Sequence, residues 1–204
     1  MSHHPHHVHH ERRHHHETHE PNLKVTTLYS GDYYVTGKPH EMIVTILGSC
    51  VAACLYDPIA RVGGMNHFLL PDTGGNNGDG SAGESTRYGA FAMEQLINGI
   101  LKLGGQKNRL EVKVFGGANV INNSAMIGSK NVDFIRSFLK KEGLAITSSD
   151  LGGDYPRRLR FHPDNGKTLL LKLARKSDMA VVDEEQKFVT ALKSKPVEGD
   201  IELF

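Results

Sequence analysis

Two side chains of this sequence, the Cys50 thiol and the His67 imidazole, have the types and the spacing for nucleophilic chemistry. An isolated thiol has a pKa of about 8.5, so little of it is ionised at neutral pH. A neighbouring imidazole takes up the proton and stabilises the thiolate, which attacks carbonyl carbon atoms. If the fold holds these two side chains together, the chain carries an activated cysteine nucleophile.

The segment between the two residues predicts a β-hairpin that brings them together. VAACLY and VGGMNHFLL are predicted strands, and Asp57-Pro58-Ile59-Ala60 between them is typical of a β-turn. A hairpin centred in the middle of this turn pairs Cys50 directly with His67, on one face and with Cβ atoms about 5 Å apart. A bulge at the two glycines of the second strand would instead turn one side chain to the other face.

Residues beside the cysteine and the histidine are candidates for supporting roles. Gly48 and Ser49 let the backbone turn tightly before the cysteine, so that nearby amides can hold an oxyanion. Thr45, on the preceding strand, and Asn66 are the local candidates for orienting the imidazole, as a third group does in other Cys/His sites.

A purely structural interpretation stands beside the catalytic one. Cys50 can be a small buried hydrophobic residue and His67 a hydrogen-bonded core histidine. Cys54 lies on the same face as Cys50 by the two-residue period of a strand, but it sits within an apolar strand and is expected to pack rather than react.

Composition and the lengths of the apolar runs argue against a nucleic-acid-binding, membrane-spanning or secreted protein. A net charge of +1 over 204 residues gives no general reason to expect a nucleic-acid partner. The apolar runs are shorter than the roughly 18 residues of a membrane span, and the amino terminus has no apolar core of a secretory signal. We therefore expect no membrane insertion. Two cysteines four residues apart cannot link distant parts of a domain by a disulfide, which favours a reduced, cytoplasmic chain.

Strand and helix patterns follow one another without regular alternation, which predicts an α+β fold with a mixed or antiparallel β-sheet core. Helical spacing of apolar residues predicts two main helices and a short C-terminal helix. Further predicted strands are KVTTLYSGDYYVTG (24–37), EMIVTIL (41–47), LEVKVFGG (110–117), LAITSSDLGG (144–153), RRLRFHPDNG (157–166) and KTLLLKLA (167–174); the helices cover about 85–103, 128–143 and 183–195, and 72–83 is a predicted loop.

Residues 1–22 form a histidine-rich tail that contains ten of the thirteen histidines. We expect this tail to be disordered, because it has too little apolar surface to offset the entropy of ordering. Such a tract binds divalent metals only loosely, since nothing fixes a coordination geometry. Residues 23–204 are expected to form a single domain.

Several separated stretches resemble those of one known family: TILGSCVAACLYDP, GGMNHFLLP, RYGAFAMEQLI, KVFGGAN, IGSKNV, DLGG and the terminal GDIELF. They are similar to the chemoreceptor glutamine deamidases, the CheD family of bacterial chemotaxis, over roughly residues 24–204. The resemblance implies a compact fold related to that of toxin deamidases. It also implies hydrolysis of glutamine side-chain amides on methyl-accepting chemotaxis receptors, through a thioester on the cysteine and without a metal or organic cofactor.

Site residues follow from the resemblance by position. Cys50 corresponds to the nucleophile, His67 to the general base and Thr45 to the catalytic threonine of the family. Some members bind CheC, a phosphatase of the response regulator, so a CheC-type partner is a further expectation.

Other interpretations remain open at this stage. The same cysteine and histidine would serve a peptidase or a transamidase, and the chain can instead be a non-catalytic adaptor for receptor or CheC, or a metal-binding protein acting through its tail. Gly116-Gly117 marks either a tight turn or a close approach to substrate, and Asn66 is a further candidate for a position near the substrate. The Arg157-Arg158-Leu159-Arg160 run is expected to be a solvated strand face, with a patch for acidic receptor helices as the alternative.

Overall fold

A computed structural model describes residues 22–71, 81–119 and 125–173. The histidine-rich tail up to residue 21, most of the predicted 72–83 loop and the predicted C-terminal helix at 183–195 lie outside these residues. The described part contains nine strands, two α-helices and one short 3-10 turn. These are β1 (Lys24–Thr27), β2 (Tyr33–Thr36), β3 (Glu41–Leu47), β4 (Val51–Asp57), β5 (Val62–Phe68), α1 (Ser81–Lys102), the 3-10 turn (Lys107–Arg109), β6 (Glu111–Gly116), α2 (Ala125–Lys141), β7 (Ile146–Leu151), β8 (Arg157–Phe161) and β9 (Thr168–Lys172).

The described strands form two sheets. One has four strands in the order β1-β3-β8-β9, and the other has five in the order β2-β5-β4-β6-β7. The β1/β3 and β6/β7 pairs are parallel and the remaining pairs are antiparallel. The predicted α+β class, with mixed sheets and two main helices, is confirmed.

Strand β4 is the central strand of the five-stranded sheet, and it is buried on both faces. Its odd-numbered side chains, such as Val51 and Leu55, join a core with residues of both helices. Its even-numbered side chains, such as Ala52 and Cys54, join a second core with residues of β3 and β8. A strand covered on both faces reads as a continuous apolar run, which is why VAACLY shows no alternation. The five-stranded sheet therefore lies between the helices and the four-stranded sheet.

The first predicted strand is divided into β1 and β2, which belong to different sheets. The break falls at Tyr29–Asp32, where the Asp32 carboxylate accepts a hydrogen bond from the Tyr29 amide and Gly31 has a φ of 96°. A glycine in the left-handed region lets the chain turn without a Cβ clash. The turn carries the chain from one sheet to the other, beside the residues of the candidate site.

The β4–β5 hairpin has a four-residue loop instead of the predicted two-residue turn. Asp57 pairs with Val62, and its side chain accepts hydrogen bonds from the amides of Ile59 and Ala60. The Arg61 amide donates to the Asp57 carbonyl, and Arg61 takes a left-handed φ of 54°. The pairing runs without a bulge through the two glycines, so the register differs by two residues from the predicted one.

The Asp57 carboxylate also fixes this hairpin to the 3-10 turn. It is fully buried, and Arg109 donates to it from two guanidinium nitrogens at 2.9 and 2.6 Å. Burial alone would raise the pKa of Asp57, but the hydrogen bonds from Arg109 and from three backbone amides outweigh it and hold this pKa well below its usual value.

The prediction of a solvated face for the arginine run is wrong for its first residue. Arg158 is exposed, but Arg157 is fully buried and its Nε donates to Asp150 Oδ1 at 2.6 Å. Its guanidinium also lies 4.5 Å from the ring centre of Tyr155. Because Asp150 is on β7 and Arg157 on β8, this ion pair joins the two sheets.

Candidate active site

His67 and Thr45 meet across the core between the two sheets. His67 lies on β5 of the five-stranded sheet, and Thr45 lies on β3 of the four-stranded sheet. The side chains are buried, and Thr45 Oγ1 lies 2.8 Å from His67 Nδ1. Thr45, which the sequence predicts as a candidate for orienting the imidazole, thus reaches the ring from the opposite sheet.

The hydrogen bonds of Thr45 determine which ring nitrogen of His67 carries the proton. A threonine hydroxyl has one hydrogen, and Thr45 donates it to the Leu28 carbonyl oxygen at 2.8 Å, since a carbonyl can only accept. Thr45 Oγ1 must then accept from His67, so Nδ1 is the protonated nitrogen. In the neutral ring, the lone pair is on the buried Nε2, which is the nitrogen that can act as a base.

Cys50 lies on the same face of the five-stranded sheet as His67. Ala52, and not Cys50, is paired with His67, so the predicted direct pairing is wrong by two residues. Because side chains alternate with a period of two, this shift keeps Cys50 on the face of Ala52, as a diagonal neighbour of His67. Cys50 and Ala52 belong to the same core between the sheets, and Cys50 is fully buried. A thiol, an imidazole base and a hydroxyl that orients the imidazole can together generate a nucleophile.

The turn between β1 and β2 holds the backbone of His67 and reaches the cysteine. The His67 amide donates to Asp32 O at 2.9 Å, and the Gly31 amide donates to His67 O at 2.8 Å. Ser30 Oγ lies 3.9 Å from Cys50 Sγ. Sequence reasoning missed Ser30, because residues 24–37 were interpreted as one strand although Ser30-Gly31-Asp32 is typical of a turn.

Tyr88, near the start of α1, packs against the core on the helix side of the five-stranded sheet. Burial raises the pKa of this half-buried tyrosine, and the negative charges of Cys50 and Asp32 raise it further, so its phenol stays neutral and able to donate. Sequence analysis placed Tyr88 in a family motif without assigning it a role.

Hydrogen bonds fix the carbonyl groups of the loop from Gly48 to Cys50, which carries the candidate nucleophile. Each of three consecutive carbonyl oxygens accepts a hydrogen bond: Gly48 O from the Ala118 amide at 2.8 Å, Ser49 O from Asn131 Nδ2 at 2.9 Å and Cys50 O from the Gly117 amide at 2.7 Å. Because N–H and C=O of a trans peptide point in opposite directions, the following amides are turned the other way.

Gly116 and Gly117 are needed for this close approach. Both have positive φ, of 110° and 66°, and a Cβ at Gly116 would collide with the Cys50 carbonyl oxygen. The structure thus gives these glycines a contact with the backbone of the candidate nucleophile. A contact with substrate stays a prediction.

Asn66 and Cys54 do not take part in this arrangement. The Asn66 side chain points to the helices, where it accepts from the Ala53 amide and donates to Ala92 O, both at 3.0 Å. The prediction that Asn66 orients the imidazole is therefore wrong, because neighbours along a strand face opposite sides. Cys54 is a buried free thiol, and burial strongly raises its pKa, which opposes thiolate formation.

Within the described ranges, no group of three or more His, Cys, Asp or Glu side chains has the arrangement to hold a metal ion. In the same residues, neither helix is long and apolar enough to cross a membrane.

Comparison with known proteins identifies the family. The sequence model of the family described as CheD chemotactic sensory transduction matches residues 69–172. A Rhodopseudomonas palustris protein named probable chemoreceptor glutamine deamidase CheD is 51% identical over 177 residues, which cover 87% of this chain and 83% of the relative. The chain belongs to the CheD family. Relatives with the same name from Janthinobacterium and Thiobacillus denitrificans are 48% and 46% identical, over 85% and 90% of this chain and 86% and 91% of their own length.

The family model and the aligned relative match different parts of the candidate site. The CheD family model begins after His67, so it contains Gly116, Gly117 and Asn131 but not Thr45 or Cys50. The alignment with the Rhodopseudomonas CheD covers 87% of the chain and so extends across the segment from β3 to β5.

Among solved structures, the chain is similar to the Bacillus licheniformis hypothetical protein YfiH, with a TM-score of 0.39 and 12% identity over 63% of this chain and 60% of that one. A Neisseria meningitidis protein gives a TM-score of 0.37 and 11% identity over 64% and 63%. These likenesses are too distant to carry an argument about function.

Proposed function

We propose that this chain is a protein-glutamine glutaminase that converts glutamine side chains of chemotaxis receptors to glutamate, with release of ammonia. Its membership of the CheD family and the names of its relatives support the reaction and the receptor substrate. In this proposal Cys50 is the nucleophile, His67 the general base and Thr45 the group that orients the base.

The observation that carries the proposal is the hydrogen bond between Thr45 Oγ1 and His67 Nδ1. It selects the tautomer whose basic nitrogen is Nε2, on a ring that shares a sheet face with Cys50. A core histidine would also be hydrogen-bonded, so the feature that favours catalysis is that the nitrogen left basic belongs to a ring on the face of the Cys50 thiol.

The first half of the reaction forms an acyl-enzyme. His67 Nε2 accepts the Cys50 proton, and the thiolate attacks the glutamine Cδ carbon to give a tetrahedral intermediate. Backbone amides at Gly48 to Cys50 are the proposed oxyanion donors, and each such donor is typically worth about 3 kcal/mol. Protonated His67 gives its proton to the departing ammonia, which leaves a thioester on Cys50. Thr45 Oγ1 stabilises the imidazolium by accepting from Nδ1–H throughout.

The second half releases glutamate. Water replaces ammonia, His67 Nε2 takes its proton, and the resulting hydroxide attacks the thioester carbonyl. Collapse of the second tetrahedral intermediate restores the thiol. All proton transfers use one imidazole nitrogen, so the proposed reaction needs no cofactor.

Two further expectations belong to this proposal. A CheC-type phosphatase partner is implied by the resemblance alone. A cytoplasmic location is an expectation from the sequence, because two cysteines only four residues apart cannot link distant parts of the chain.

The test is incubation of the full chain with a receptor cytoplasmic fragment, followed by peptide mass spectrometry. Each converted glutamine gains about one dalton, and the receptor chain is neither cut nor crosslinked. Cys50→Ala should abolish the conversion. Cys54→Ala is the matched control, because it removes the other buried thiol of the same strand region and should leave conversion in place.

The same measurement separates the rival functions. Cleavage of the receptor fragment would favour a peptidase, and a crosslinked product a transamidase. Unchanged receptor glutamines, together with a normal chemotaxis phenotype in Cys50→Ala cells, would favour a non-catalytic adaptor. Loss of conversion after deletion of the histidine-rich tail would favour a metal-dependent function, whereas we expect conversion to persist.

A further inference from the structure

Asn131 is a buried polar residue in the apolar stripe of α2. It lies four residues before Ile135 on the stripe that also contains Leu139, and its side chain is fully buried. Both ends of its amide have partners: Nδ2 donates to Ser49 O and Oδ1 accepts from the Leu70 amide, each at 2.9 Å. One side chain thus joins the loop before Cys50 to the segment that follows the His67 strand.

The bond to Ser49 O fixes the orientation of one particular peptide. The Ser49 carbonyl points to Asn131, and the peptide is trans, so the Cys50 N–H points away from α2. The amide of the nucleophilic residue itself is a suitable oxyanion donor, because it is held close to the carbon that bonds to the nucleophile. Among the described residues, the carbonyl oxygens of Gly48, Ser49 and Cys50 accept two hydrogen bonds from backbone amides and one, at Ser49 O, from the side chain of Asn131.

We propose that Asn131 is a positioning residue that holds the Ser49–Cys50 peptide in the orientation in which the Cys50 amide stabilises the oxyanion. The inference rests on the proposed role of Cys50 as the nucleophile. Asn131 does not touch the reacting atoms, and it acts through the Ser49 carbonyl. Only a side chain with both a donor and an acceptor at this distance satisfies Ser49 O and the Leu70 amide together.

The test compares two reactions of the same thiol. p-Nitrophenyl acetate acylates the cysteine: the thiolate attacks the acetyl carbon, an oxyanion forms, and p-nitrophenolate leaves. Iodoacetamide alkylates the cysteine by direct displacement of iodide, and no oxyanion forms. Both rates are measured on the full chain, with mass spectrometry to assign the modified cysteine and with Cys50→Ala as the blank.

Asn131→Leu should slow acylation at least about tenfold and leave alkylation within about threefold. The loss should remain below the roughly 10²- to 10³-fold cost of deleting an oxyanion donor, because the Cys50 amide is misaligned and not removed. Acylation and alkylation that fall together, or an unchanged acylation rate, would overturn the proposal.

Asn131→Asp supplies a readout that a purely structural role would not change. Its carboxyl keeps an acceptor for the Leu70 amide, but it can donate to Ser49 O only while protonated. The acylation rate relative to the unmodified protein should therefore be highest at acidic pH and fall as the pH rises. A ratio independent of pH would contradict the proposal.

Asn66→Asp is the matched control. Asn66 is equally buried and is hydrogen-bonded by its amide, but to Ala53 and to α1, on the other face of the sheet. The Asn66→Asp variant should lose thermal stability while keeping the ratio of the acylation rate to the alkylation rate. If receptor glutamines are not converted but this ratio changes as expected in the Asn131 variants, the proposed function fails and the role of Asn131 stands.

Discussion

Replacement of Thr45 by valine tests the orientation of the candidate base. Valine has nearly the shape of threonine but lacks the hydroxyl, so His67 Nδ1 loses the oxygen at 2.8 Å and the Leu28 carbonyl loses its donor. The substitution opens no new cavity beside the ring. Water has no ready access to His67 Nδ1, because the side chains of residues 45 and 67 are almost fully buried. The substitution therefore removes hydrogen bonds with little change of packing.

The expected loss follows from the charge that His67 acquires. When it takes the Cys50 proton, Nδ1–H becomes the donor of a positively charged ring, and a hydrogen bond to a charged group contributes about 1.5–3 kcal/mol. Since about 1.4 kcal/mol corresponds to a tenfold change in rate, kcat/KM of Thr45→Val should fall about 10- to 150-fold. Thr45→Ser keeps the hydroxyl and should stay within a few fold of the unmodified protein.

The assay is deamidation of a receptor fragment, with nitrogen-15 NMR of the histidine rings and thermal unfolding of each variant. Nitrogen-15 shifts should identify His67 as the Nδ1-protonated tautomer in the unmodified protein and as a mixture in Thr45→Val. Full activity in a folded Thr45→Val protein, or an Nε2-protonated ring in the unmodified one, would refute the assignment of Nε2 as the base.

Three further predictions concern the surroundings of the site. Gly116→Ala places a Cβ against the carbonyl oxygen of the candidate nucleophile and should lose most activity, while Gly143→Ala, also at positive φ but with open space around it, should cost only about 1–2 kcal/mol of stability and no activity. Asp57→Asn should lower the free energy of unfolding by on the order of 3 kcal/mol, because Arg109 loses its buried partner. The folded pKa of Asp57 lies below its unfolded value, so its contribution is complete above about pH 4 and declines as the pH falls, and urea titrations should show the variant and the unmodified protein converging in acid. Iodoacetamide at neutral pH should leave Cys54 unmodified in the folded protein, because burial keeps it a thiol; rapid labelling there would contradict the packing role.

Local sequence patterns located most of the described elements but not their pairing. The turn Asp57-Pro58-Ile59-Ala60 between two apolar runs predicts the hairpin of β4 and β5. The loop length, however, depends on the Asp57 carboxylate, which accepts from two loop amides and so stabilises four residues outside the strands. A hairpin register that is wrong by two residues keeps every side chain on its face. This is why the sequence could indicate that Cys50 and His67 share a face while mispredicting their direct pairing.

Contacts between sheets could not be predicted from spacing. Arg157 reads as part of a charged run, but its partner Asp150 is on the other sheet, and only the fold brings the two together. Asn131 had a local signal, since a polar residue on the apolar stripe of α2 must find buried partners. Their identity, Ser49 O and the Leu70 amide, depends on how α2 packs on the five-stranded sheet.

The candidate site takes its parts from different layers of the molecule, and this explains why it is buried. The imidazole belongs to the five-stranded sheet, and the thiol belongs to the residue directly before β4. The orienting hydroxyl of Thr45 comes from the four-stranded sheet, and the amide of Asn131 comes from the helices on the far side. A bond of 2.8 Å between two sheets survives only if the sheet separation is fixed to a few tenths of an ångström, and close-packed cores supply that rigidity. Base orientation therefore depends on the packing between the sheets and oxyanion alignment on the packing of α2. The two can be disturbed independently, so Thr45 and Asn131 variants should affect the reaction in separable ways.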